Sequence, residues 1–174
     1  MTGAIFVDTN VLVYARDASQ PAKQAQARAW VERAWREQSG RTSMQVLSEL
    51  YVTLTRKLRP GMDAAAAWDD VEALMAWEPQ PIDRPLMLRA REIASRYGLA
   101  WWDAMIVAAA ELQDCDVLLS EDLQDGMRFG SLSVRNPFRT AAAEEPAGYE
   151  PVAGLALRHR PRGRPRKRAA GRSG

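Results

Sequence analysis

Residues 4–8 read Ala4-Ile5-Phe6-Val7-Asp8, four apolar side chains that stop at a carboxylate. So short a run, rich in Ile, Phe and Val, is the pattern of a strand buried on both faces. Residues 116–120, Asp116-Val117-Leu118-Leu119-Ser120, repeat it late in the chain, with Asp122 two positions on. Leu132–Val134 predicts a weaker final strand before Asn136-Pro137, and Arg41–Ser43 is compatible with another short one. Helical patterns fill the space between. Asn10–Asp17 starts a helix with Thr9 or Asn10 as its cap. Ala22–Gln38 follows Pro21 and is rich in helix formers. Gln45 to Leu58 carries an apolar stripe of Val46, Leu47, Leu50 and Leu54. Asp63 caps Ala64–Trp77, Pro85–Tyr97 ends at Gly98, and Trp101–Gln113 is the last helix. Strands alternating with helices predict an α/β domain with a small, mostly parallel sheet.

The chain has 174 residues, 47% hydrophobic and 26% charged. That excludes a disordered chain, a collagen-like chain and a disulfide scaffold, and suits one domain with an extra segment. The net charge of +2 hides a division. Residues 1–157 hold all 22 acids and 16 of the 24 Lys and Arg, a balance of −6; residues 158–174 hold the other 8 bases and no acid. The expected layout is a domain over 1–139, an Ala/Glu/Pro/Gly-rich linker over 140–157, and a disordered basic tail over 158–174.

The single Cys115 allows no internal disulfide and reads as inert packing. With no visible signal peptide, and Ala104–Ala110 far short of the roughly 20 apolar residues a membrane span needs, a cytoplasmic protein is expected. The one histidine, His159, lies in the tail, so chemistry must rest on carboxylates, hydroxyls or backbone. Trp30, Trp101 and Trp102 suit the core better than a partner groove.

In open α/β sheets functional groups collect at the carboxyl ends of strands. Asp8 and Asp122 reach one rim if their strands are neighbours. Asp103 interrupts the nearly all-apolar Trp101–Ala110, where a charge is costly unless paired or bound to a metal. An acid in a helix's first turn also complements the helix dipole, a plainer account of it. Glu49 sits between Leu47 and Leu50 and suits either a functional role or an exposed helix position.

Taken together, Ile5-Phe6-Val7-Asp8-Thr9-Asn10-Val11-Leu12, Ser48-Glu49, Trp102-Asp103-Ala104 and Leu118-Leu119-Ser120-Glu121-Asp122-Leu123 resemble the PIN domain. More narrowly they resemble the VapC-type toxins of type II toxin–antitoxin pairs, over roughly residues 4–138. The resemblance implies a three-layer α/β/α fold, a ribonuclease dependent on Mg²⁺ or Mn²⁺, a homodimer, and a cognate antitoxin that covers the active-site face. It implies Asp8, Glu49, Asp103 and Asp122 as the acidic quartet, with Asn10, Ser120 and Asp125 as supporting polar groups. The long segment after residue 140 departs from the typical short toxin.

Converging carboxylates raise one another's pKa values, and a hard divalent cation with oxygen ligands resolves this. Mg²⁺ keeps several waters, so Asp8 and Asp103 are expected as direct ligands, with Glu49 and Asp122 holding bound water or a second ion. Metal-activated water attacking RNA fits the absence of a catalytic histidine better than acid–base cleavage does, and leaves a 5′-phosphate and a 3′-hydroxyl. A phosphatase resembling the haloacid dehalogenases also opens with a strand and an aspartate. It needs a second acid two residues on, where this chain has Asn10.

Within the tail, Arg162-Gly163-Arg164-Pro165-Arg166-Lys167 is similar to an AT-hook, whose Arg-Gly-Arg-Pro core lies in the narrow minor groove of A·T-rich DNA. Generic RNA or DNA affinity, no nucleic-acid role, or folding back on the acidic site are the other readings. The alternative function is therefore a DNA-tethered PIN protein whose main role is binding through the tail; the intact quartet favours the enzyme.

Overall fold

A computed structural model of the chain describes residues 3–139. The linker and the AT-hook-like stretch lie outside the described residues. The elements run β1 (Ala4–Val7), α1 (Thr9–Tyr14), α2 (Pro21–Arg36), β2 (Gly40–Arg41), α3 (Met44–Val52), α4 (Ala64–Leu74), α5 (Arg84–Tyr97), α6 (Trp101–Leu112), β3 (Cys115–Leu119), β4 (Arg128–Phe129) and β5 (Leu132–Arg135). The five strands form one sheet in the order β2-β1-β3-β5-β4, parallel except for the short β4–β5 hairpin.

Ile5, Phe6 and Val7 are consecutive and all buried, so both faces of β1 are covered, as an α/β/α sandwich requires. Leu118 and Leu119 of β3 and Leu132 and Val134 of β5 continue this core. On the helical side, α6 buries seven residues in succession, Ala104–Ala110. A helix apolar all round must be enclosed all round, and it packs closely with α5, whose Leu86, Ala90 and Ile93 face inward. Gly98 closes α5 at φ +65, a left-handed conformation that favours glycine. No helix among the described residues is long and apolar enough to cross a membrane.

Several expectations need correction. The cap of α1 is Asp8 itself, not Thr9 or Asn10: its carboxylate accepts the Thr9 N–H at 2.7 Å. The second strand covers only Gly40–Arg41, because beyond it the backbone leaves β1 and forms a lone parallel bridge from Ser43 to Gln80, and the Ser43 hydroxyl caps α3. The third helix ends at Val52 and continues as a wider π-type turn over Thr53–Lys57. The pair Arg128–Phe129 is too short to show any periodicity, yet pairs with β5. Trp101 and Trp102 do not enter the core; they are 36% and 41% exposed. Their helix turns its alanines inward instead. Cys115 is buried, which pushes its thiol up to about 12, in keeping with inert packing.

Candidate active site

The site starts from register. Val7 lies opposite Leu119, so the residues that follow, Asp8 and Ser120, leave the sheet side by side. The Asp8 N–H continues the ladder to the Leu119 carbonyl at 3.0 Å. The buried Ser120 hydroxyl donates to Asp8 Oδ2 at 2.8 Å. It also accepts the Asp122 N–H at 3.1 Å, which turns the loop after β3 back toward Asp8.

Asn10 bridges the two acids. Its Nδ2 lies 3.3 Å from Asp8 Oδ2, 3.3 Å from Ser120 Oγ and 3.1 Å from Asp122 Oδ2. Its Oδ1 accepts the Glu121 N–H at 3.3 Å. A carboxamide supplies both a donor and an acceptor, so one side chain can hold a carboxylate and a backbone amide at once.

Glu49 approaches from α3. One oxygen accepts the Thr9 hydroxyl at 3.1 Å, and the other accepts Gln45 Nε2 at 3.1 Å. The same Gln45 amide lies 3.4 Å from the Trp102 carbonyl at the start of α6. Gln45 thereby fastens α3 beside the turn that bears the half-buried Asp103. Asp8, Asn10, Ser120 and Asp122 form one hydrogen-bonded group, with Glu49 joined to it through Thr9. Asp125 takes a different place: it accepts the Asn136 N–H at 2.8 Å and faces Arg139 at 3.7 Å, behind the end of β5.

Gln45 and Lys23 were not singled out in the sequence, and Thr9 was read only as a helix cap. Gln45 stands four residues before Glu49, on the same helical face, a spacing that could have flagged it. Lys23 gave no signal. It reaches from α2 to Glu121 at 2.7 Å and to the Tyr14 hydroxyl at 3.1 Å, with its ammonium 4.3 Å from the Tyr14 ring centroid. It so pins the residue next to Asp122.

Burial pushes the Asp8 carboxyl up to about 7, and the nearby Asp122 and Glu49 charges add to the rise. The Ser120 and Thr9 hydrogen bonds pull the other way and do not offset it. A buried acid pressed by two like charges is a group that lacks positive charge. Among the described residues no three acidic, imidazole or thiol groups converge into a ready-made metal cage. The donor set is all hard oxygen, which fits Mg²⁺ or Mn²⁺ held by one or two carboxylates with water at the remaining positions.

A model of the PIN domain matches residues 5–124, and the chain belongs to the PIN domain family. No curated protein matches it by sequence. Among solved structures it is similar to a chain of a toxin–antitoxin complex from Klebsiella pneumoniae, at 20% identity and a TM-score of 0.55, covering 77% of this chain and 97% of that one. It is also similar to Mycobacterium tuberculosis VapC20, a toxin that cleaves the Sarcin-Ricin loop. There the identity is 24% and the TM-score 0.53, over 68% of this chain and 92% of that one. At these identities the likeness is one of fold.

Proposed function

We propose that this PIN-domain protein is a divalent-metal-dependent endoribonuclease, the toxin of a toxin–antitoxin pair. The observation that carries the reading is the buried Asp8, hydrogen-bonded to Ser120 and crowded by Asp122 and Glu49 at the carboxyl edge of the sheet. Asp8 and Asp103 would hold Mg²⁺ or Mn²⁺ directly, and Glu49 and Asp122 directly or through water. When bound, such an ion supplies charge neutralisation at the phosphate and an activated water for in-line attack.

The chain's own groups do the rest. Asn10 and Ser120 hold Asp8 and Asp122 in place, and Thr9 and Gln45 do the same for Glu49. Asp125 orders the chain after β5, a supporting role at one remove. The toxin assignment draws on the toxin–antitoxin complex and the toxin that share this fold. It brings with it an RNA substrate, a cognate antitoxin, a homodimer and a cytoplasmic setting. In this layout residues 1–139 form the nuclease, 140–157 link, and Arg162, Gly163, Arg164, Pro165, Arg166 and Lys167 add nucleic-acid affinity.

Expression without the antitoxin should arrest growth, and mapping RNA 5′ ends after induction should reveal new 5′-phosphate termini at a defined sequence. Growth arrest without such termini, or the same termini from Asp8→Asn, would sink the reading.

A further inference from the structure

Arg135 is the last residue of β5, and its carbonyl accepts the Ser120 N–H at 3.1 Å. Leu119 stands opposite it across the β3–β5 register. This arginine therefore leaves the sheet one strand, about 5 Å, from the chain that leads to Asp122. It is exposed, and its guanidinium lies over the Trp30 ring, 5.5 Å from the centroid.

Three other cations near this edge already have acidic partners. Lys23 pairs with Glu121 at 2.7 Å, and Arg139 faces Asp125 at 3.7 Å. Arg33 pairs with Glu37 at 3.1 Å while lying over the same indole, also at 5.5 Å. Among the described residues no carboxylate lies within ion-pairing distance of Arg135.

We infer that Arg135, held on Trp30, is a phosphate-binding group that receives the backbone of single-stranded RNA beside the carboxylate cluster. The inference rests on the ribonuclease reading and extends it to how a polyanion is held against an acidic site. A guanidinium lying over an indole keeps N–H groups at its edge, where they can pair with two phosphate oxygens. The ring also limits the freedom the side chain has left to lose on binding. A phosphate next to the scissile one adds negative charge near Asp8 and Asp122, and a guanidinium paired with that phosphate offsets it.

The test uses the full chain, Arg135→Gln and Arg135→Lys, and a fluorescent single-stranded RNA that the wild type cleaves, or a generic one if it cleaves none. Binding is followed by anisotropy in EDTA across a salt series, and cleavage is followed in Mg²⁺. For Arg135→Gln, KM should rise about fivefold to tenfold with kcat within about twofold. The slope of log affinity against log salt should fall by about 0.7, the value of one single-strand phosphate. Arg135→Lys should keep the slope and recover part of the affinity. Unchanged KM and slope in Arg135→Gln would overturn the inference. So would a lower Tm with an unchanged slope, which assigns Arg135 to the fold alone. If the wild type cleaves no RNA but Arg135→Gln still lowers the slope, the ribonuclease reading fails and the phosphate contact stands.

Discussion

Ser120 donates its hydroxyl proton to Asp8 across 2.8 Å, joining two residues 112 positions apart in the chain. The bond holds a buried carboxylate in one orientation at the edge where two parallel strands end. Its energetic direction is also defined: it lowers the pKa of a group that burial and two neighbouring acids drive upward.

Replacing Asp8 or Asp103 by Asn should abolish cleavage while the fold survives. Asn caps a helix as well as Asp does, so α1 keeps its N-terminus in Asp8→Asn. Losing several kcal/mol of charge stabilisation at the phosphate corresponds to a rate loss of about a hundredfold to a thousandfold. Purified variants with native circular dichroism and unchanged Mg²⁺-dependent activity would refute the assignment.

Ser120→Ala removes a hydrogen bond that favours the ionised Asp8, so the carboxyl moves further up. At neutral pH less of it is then ionised and able to hold a cation. The acid limb of the pH profile of kcat/KM should shift to higher pH, with about a threefold to tenfold loss at pH 7. A profile that falls uniformly without shifting would assign Ser120 to packing instead.

In EDTA the protein should lose stability as pH rises from about 4 to about 7. The unfolded Asp8 releases its proton near the ordinary 3.8, the folded one near 7, so in this window the folded state binds more protons. Asp8's contribution to stability is then full below 3.8 and declines until the folded group has ionised. Asp8→Asn should flatten this part of the curve, and saturating Mg²⁺ should restore stability above pH 7 in the wild type. Thermal melts across pH, with and without the ion, measure both effects.

Gly40→Ala should destabilise the fold. A Cβ there would lie 2.4 Å from Cε2 of the buried Trp77, which also stacks at a tilt on Trp35 with centroids 5.1 Å apart. Moving a large ring out of a packed position costs about 1–3 kcal/mol. A lower urea midpoint at unchanged slope is expected; an unchanged midpoint would show that the ring yields freely.

Deleting residues 140–174 removes all 8 bases of the tail. Nucleic-acid binding should become weaker and less dependent on salt, because fewer counterions are released. Equal affinity and slope in the truncated chain would take the tail out of substrate recruitment.

The strands and most of the helices were legible from local chemistry. Ala4–Val7 and Val117–Leu119 are short runs of apolar, largely branched residues that stop at polar groups, the pattern of a buried strand, and Asp63 and Gly98 mark helix ends by capping. The limits of legibility were local as well. Arg128–Phe129 carries too few residues for a period, and Trp101 and Trp102 look like core until it is known which side of α6 the alanines fill.

By itself the sequence determined which acids were available, their order, and their place just after strands or at helix starts, since these follow from hydrophobic runs and their abrupt ends. Only the tertiary structure decided which of them meet. Strand pairing between distant segments sets Val7 against Leu119, and that register alone brings Ser120 to Asp8 and lets Asn10 span to Asp122. The helix contact at Gln45 likewise settles where Glu49 and the start of α6 come together. Such contacts depend on burial shared between remote parts of the chain, which no local pattern encodes.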